Sequence, residues 1–302
     1  MAFFARREMN LKTSLLTRRT FLATAATLVA GAAQGRSPEP RVATLDWALL
    51  ETLLAIGANV VAATELRQFR QVAVTPAVSE TVADLGLRGT PNLEVLRFAR
   101  PELIFNSNFY AWADPIMSGI AAVESHAIYM PGKSPYGLAE QATLAIGERL
   151  QRAQARLLVE NLSAKLDRYK ALFAAGDGRP VLPINLGDAR HYRVFGSDSM
   201  FGEVLQRVGL TNAWKGATSY SATAPVGIET LAFMPDAWII LIPPHPQDAF
   251  DTLTGSAFWK ALPAVQENRV LTIGSINPYG ALPAASRFAD FLANGFSRVR
   301  NG

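Results

Sequence analysis

The sequence contains no cysteine. That excludes disulfides, thiolate metal sites, iron–sulfur clusters and a cysteine nucleophile, and also a lipid anchor on a signal-proximal cysteine. Histidine is nearly as scarce: His126, His191 and His245 stand 65 and 54 residues apart, with no His-x-His or His-x3-His pair. A zinc or manganese site would need clustered imidazoles and carboxylates, so each histidine reads as structural. There is no Gly-x-Ser-x-Gly elbow, no Gly-x-Gly-x-x-Gly loop and no Walker loop. Gly196-Ser197-Asp198-Ser199 reads instead as a turn feeding an N-capped helix. A Ser/His/Asp triad meets only in space, so sequence leaves a hydrolase open without supporting one. Long hydrophobic runs are also missing. The run Phe21 to Ala33 is 13 residues, against the ~20 needed to span a bilayer.

That run is informative for what precedes it. Thr17-Arg18-Arg19-Thr20-Phe21-Leu22 leads into small residues and Ala30-Gly31-Ala32, the pattern of a twin-arginine export signal over residues 1–33. It also holds the charge excess. The chain has 29 Lys+Arg against 25 Asp+Glu; removing the five basic residues and one acid of residues 1–35 leaves 24 of each. A near-neutral mature protein argues against nucleic acid, which calls for clustered cations against phosphates. The expected product is an unanchored protein of a Gram-negative periplasm.

Beyond a polar spacer (Arg36 to Pro40), short apolar runs alternate with helical patterns. Arg41–Leu45, Val60–Ala63, Glu102–Asn106 and Ala127–Met130 read as strands, Leu49–Ile56 and Pro91–Phe98 as helices, the latter capped by Thr90 with Pro91 at the first helical position. Such alternation argues for α/β layering with a mostly parallel sheet. From Leu138 to Phe173 there is no proline and a single glycine, Gly147, which predicts one kinked helix or two in series. Strand signals return at Val181–Asn185, Tyr192–Phe195, Trp238–Ile242 and Val270–Ile273, before a final helix over Ala284 to Val299. The expected architecture is α/β: an N-terminal lobe (36–148), a linking helix (149–175) and a C-terminal lobe (176–302). A single large α/β domain with a surface helix is the alternative.

Aromatic and amide residues gather just past the expected strand ends, where α/β sheets bind ligands. Trp47 follows the first strand; Asn106, Tyr110 and Trp112 follow Glu102–Phe105; Tyr220 lies in Ala217-Thr218-Ser219-Tyr220-Ser221; Asn277 and Tyr279 follow Val270–Ile273. Single aromatics in such places often pack cores. Several from both halves point to an aromatic-lined cleft for a bulky small molecule. Arg88 is the one cation near these loops, a fixed charge with several donors for electron-rich oxygens.

Val42-Ala43-Thr44-Leu45-Asp46-Trp47, Leu53-Leu54-Ala55-Ile56-Gly57, Gly86-Leu87-Arg88 with Pro91-Asn92-Leu93-Glu94, Val194-Phe195-Gly196 and Asn212-Ala213-Trp214 resemble periplasmic substrate-binding proteins for ferric hydroxamate siderophores, the FhuD family. The resemblance runs over about residues 40 to 298. It implies two α/β lobes, each with a mostly parallel sheet, joined by a backbone helix with little lobe closure and a shallow ligand cleft between them. Arg88 matches the arginine and Tyr110 the tyrosine that contact the hydroxamate oxygens. Trp47 and Trp214 match aromatic positions at or near the cleft, and Tyr220 and Tyr279 aromatic positions of the C-terminal lobe, whereas family tryptophans fall on Asn106, Ser221 and Asn277. Glu229 matches one of the family carboxylates that dock on an inner-membrane ABC permease, and Asp114 lies near the position of the other. The implied protein is a monomeric carrier with no catalysis and no cofactor of its own, the iron arriving inside the siderophore. Cobalamin or haem carriers of the same fold are the alternatives.

Overall fold

The computed structural model describes residues 39–218 and 224–301. The twin-arginine segment, Tyr220 and Ser221 lie outside them. Five strands, β1 (Arg41–Thr44), β2 (Asn59–Ala63), β3 (Ala83–Asp84), β4 (Leu103–Asn106) and β5 (Ala122–Ser125), pair in parallel in the order β3-β2-β1-β4-β5. The central three are almost wholly buried, which explains their near-continuous apolar composition. Helices α1 (Trp47–Ala55), α2 (Leu66–Val72), α3 (Leu93–Phe98) and α4 (Asp114–Met117) connect them.

Two of the sequence expectations shift here. The strand expected at Ala127–Met130 lies at Ala122–Ser125 instead. The more apolar segment turns inward, burying Ile128 and Tyr129. The helix expected from Pro91 starts at Leu93, because Asn92 rather than Thr90 caps it. The Asn92 side chain accepts from the main-chain N–H of Glu94 (3.1 Å) and Val95 (3.0 Å), satisfying two donors of the first turn.

The proline-free stretch is two helices in series, α5 (Pro135–Arg149) and α6 (Gln154–Phe173). Gly147 permits the turn between them: a Cβ there would fall 2.2 Å from Cβ of Ala155. The second lobe holds β6 (Val181–Leu186), β7 (His191–Val194), α7 (Met200–Arg207), β8 (Ala224–Gly227), β9 (Trp238–Leu241), α8 (Gln247–Gly255), α9 (Ala257–Ala261), α10 (Pro263–Gln266), β10 (Val270–Thr272) and α11 (Leu282–Asn301). Its sheet runs β10-β9-β6-β7-β8, with β10, β9 and β6 parallel and β7 and β8 antiparallel. Ser199 caps α7 as expected, accepting from the N–H of Gly202 at 2.8 Å.

The lobes share a core. One cluster unites Leu49, Leu50 and Leu53 of α1 with Ala285, Phe288 and Leu292 of α11, and with residues of α5, α6 and α7. Alanines on α11 let its neighbours approach closely, and apolar burial of this kind contributes about 25 cal/mol per Å². Among the described residues no helix is long and apolar enough to cross a membrane.

Candidate functional site

Parallel strands bring their C-terminal ends to one edge, and the order β3-β2-β1-β4-β5 reverses direction beside β1, where α/β sheets place ligands. β1 runs into Asp46 and Trp47, β4 into Ser107 and Tyr110. The two loops are tied together there: Ser107 Oγ donates to Asp46 Oδ2 at 2.6 Å. β10 of the second lobe leads to Asn277 and Tyr279 on the facing side.

Between these loops lies a cleft of about 380 Å³, lined by Asp46, Trp47, Ala48, Arg88, Phe109, Tyr110 and Tyr129 from one lobe and Asn277 and Tyr279 from the other. Its size suits a small-molecule site (~300–1,000 Å³). A smaller apolar pocket of about 190 Å³, near Phe173, Trp238 and Phe296, sits at the opposite end of β6 and β9.

Arg88 is held from two sides. Its Nε lies 2.8 Å from Glu65 Oε2, with the N–H not aimed along the contact, so this is an ion pair rather than an aligned hydrogen bond. Its main-chain N–H donates to Glu65 Oε1 at 3.1 Å. The guanidinium carbon stands 4.4 Å from the Trp47 ring centroid, a cation–π contact. Trp47 is itself fixed, donating through Nε1 to the carbonyl of Thr64 at 3.0 Å and meeting Phe69 edge-on. Burial pushes the Tyr110 phenol above its usual pKa and the Asp46 charge adds to this, while Arg88 opposes it. Tyr110 therefore stays a hydroxyl donor at neutral pH.

Asp46 is the N-cap of α1, its carboxylate accepting from Ala48 (2.6 Å) and Leu49 (3.2 Å). Burial raises its pKa, and the hydrogen bonds from Ser107, Leu49 and Ala48 pull it back. Behind the cleft, Glu51 of α1 accepts from Asn277 Nδ2 (2.9 Å) and from the main-chain N–H of Ala281 (3.2 Å), at the start of α11. Burial pushes its carboxyl up to about 8. Tyr129 crosses the same junction, its hydroxyl donating to the carbonyl of Gly280 at 2.7 Å.

Of the residues expected from sequence, Trp47, Arg88, Tyr110, Asn277 and Tyr279 line the cleft. Asn277 also serves the lobe junction, since its Oδ1 takes the N–H of Tyr279 (3.1 Å) while Nδ2 serves Glu51. Asn106 is fully buried behind Tyr110, donating to its carbonyl (2.8 Å) and to Asp114 Oδ1 (2.5 Å). It positions the wall rather than forming it. The other oxygen of Asp114 takes the Ser125 hydroxyl at 2.9 Å. Trp112 is half exposed on the turn beyond Tyr110, and Trp214 packs on the core of the second lobe; neither lines the cleft. Glu229 is exposed at the start of a 3-10 turn, Ile228–Phe233.

Sequence reasoning passed over Asp46, Glu51, Glu65, Phe109 and Tyr129. Asp46 carried a signal, an aspartate directly before an apolar helical run. The three histidines stand apart: His191 pairs with Asp188 at 3.0 Å, His126 lies near Phe105, and His245, half buried, stacks on Phe250. Among the described residues no group of three His, Cys, Asp or Glu could hold a metal. The cleft can present the Arg88 guanidinium and the Tyr110 phenol to a ligand's oxygens, against aromatic walls.

Residues 42–276 match the profile of the periplasmic binding protein family. The chain is 28% identical over 255 residues to the iron(3+)-hydroxamate-binding protein FhuD of Escherichia coli K12, covering 84% of this chain and 86% of that protein. Its fold is similar to that of the siderophore-binding protein FhuD from Vibrio cholerae bound to Fe3+–Desferal, with a TM-score of 0.80, 23% identity, and 85% and 97% of the two chains covered. FhuD2 from Staphylococcus aureus with bound ferrioxamine B follows at a TM-score of 0.68 and 16% identity, covering 86% and 98%.

Proposed function

We propose that this chain, which belongs to the periplasmic binding protein family, binds ferric hydroxamate siderophores in the cleft and delivers them to an inner-membrane ABC permease. The observation that carries the reading is the cleft wall: aromatic rings from both lobes around one pre-set arginine. A ferric trihydroxamate is bulky and rimmed by polarised oxygens. Apolar walls match its body, while Arg88 and Tyr110 supply donors to its rim. Iron belongs to the cargo, whose own oxygens satisfy it. The protein's part is to bind and release, as a carrier without catalysis. Export by the twin-arginine route, a monomeric state and docking through Glu229 complete the proposal. Asp114 is a weaker docking candidate because both its oxygens are engaged within its own lobe.

Titration of the purified mature chain with ferrichrome and ferrioxamine B, followed by tryptophan fluorescence, tests the cargo. Saturable quenching is expected, and no response to either complex rejects the ligand class. Tighter binding of haem or cobalamin would reassign the cargo within the fold. Arg88→Ala should weaken ferrichrome about 10- to 100-fold, the ~1–3 kcal/mol scale of a charge-assisted contact. Unchanged affinity would remove Arg88 from the site.

A further inference from the structure

Glu65 stands in an unusual place for a glutamate. Its backbone is left-handed (φ 50°, ψ 42°) at the N-cap of α2, and its side chain makes no capping bond. Residues with a Cβ rarely adopt this conformation without a compensating role. Capping is supplied from elsewhere, by Asp84 Oδ2 accepting from the N–H of Leu66 at 3.0 Å. The Glu65 carboxylate is instead spent on Arg88, Oε1 on its main-chain N–H and Oε2 on Nε, with the side chain 14% exposed.

We propose that Glu65 is a positioning residue that orients Arg88 in the cleft and cancels its charge, so that the cleft selects ferric complexes without net negative charge. This rests on the reading of the cleft as the siderophore site. Glu65 fixes the guanidinium from one side and Trp47 stacks on it from the other, so the planar donor fork is preset before ligand arrives. Among the described residues Arg88 is also the only Lys or Arg lining the cleft, and Asp46 adds a carboxyl to the same lining. An anionic complex therefore meets a neutralised arginine and a buried acid. Like charges brought together away from water repel strongly, which discriminates by charge.

The test compares dissociation constants of the mature chain for neutral ferrichrome, cationic ferrioxamine B and a trianionic ferric tris-catecholate. Wild type is expected to bind the first two and discriminate against the third. Glu65→Gln should weaken the hydroxamates by about 10-fold, a lost charge-assisted contact, while strengthening the catecholate, so the preference collapses. Glu65→Asp keeps the charge but retracts the carboxylate; it should lose affinity and retain the preference. A merely structural role would move all three affinities together and overturn the proposal, as would an unchanged preference in Glu65→Gln. If that variant does not fold, Arg88→Gln decides the question in its place. It leaves Glu65 uncompensated and should shift preference towards ferrioxamine B, and an unshifted ratio overturns the proposal. Wild type binding neither hydroxamate refutes the cargo, and the selectivity argument with it.

Discussion

Replacing Glu51 with glutamine isolates the cost of a carboxyl sealed between the lobes. Glu51 is 1% exposed, and burial raises its pKa from 4.5 to about 8 against the pull of Asn277, Ala281 and Ala284. In the unfolded chain it ionises near its ordinary value; in the folded protein it keeps its proton to about pH 8. Over that interval the unfolded state binds fewer protons, so rising pH favours unfolding. The stabilisation is complete below about pH 4.5 and is lost as pH climbs through about 8. At ~1.4 kcal/mol per pH unit the interval amounts to several kcal/mol, set against a typical total of ~5–15 kcal/mol. Glutamine cannot ionise, but it turns an amide nitrogen towards one of the donors that Glu51 accepts, at a cost of ~1–3 kcal/mol. Glu51→Gln should therefore be less stable than wild type near pH 5 and more stable near pH 9. Urea unfolding of both proteins across that range measures the difference directly, and ionisations they share cancel. A difference that does not change with pH would refute the reasoning.

Two further outcomes follow from the same geometry. Asn106→Ala removes the donor that holds the Tyr110 carbonyl and Asp114; ferrichrome affinity should fall by about 10-fold with the far-UV spectrum unchanged, the scale of one positioned hydrogen bond. Unaltered affinity would mean that the Tyr110 loop is held by other contacts. Gly280→Ala would place a Cβ 2.4 Å from Cβ of Ala284 and 2.5 Å from Glu51 Oε2, and such overpacking costs ~1–3 kcal/mol. Thermal unfolding should show a fall of several degrees, and a wild-type Tm would contradict the close approach.

How far the sequence reveals this molecule depends on where burial leaves a mark. Val60–Ala63 and Trp238–Leu241 are legible as strands because both faces are covered and the run is apolar throughout. The edge strand Ala122–Ser125 is half exposed, and the richer run Ala127–Met130 beside it draws attention away. Ala224–Gly227 contains Pro225 and Gly227 and gives no strand signal in the sequence, although it pairs with β7. In the cleft, Trp47, Arg88, Tyr110 and Tyr279 stand out because aromatics and a lone cation past strand ends invite a ligand. Asn106 occupies an equivalent position in the chain, yet its side chain turns inward to Tyr110. Glu65 and Glu51 leave no mark. A carboxylate after a strand or on a helix ordinarily belongs to solvent, and only the packed fold shows each meeting its partner, Arg88 for one and Asn277 for the other.

Helix α11, the last described element, completes the core around α1, the first described helix. During synthesis the opening lobe therefore waits for residues 282–292 before Leu49, Leu50 and Leu53 are covered. Contacts of such sequence separation close slowly. A nascent chain lacking them would expose the α1 face that chaperones and proteases survey, so a truncated carrier would be caught by the very surface its final helix exists to hide.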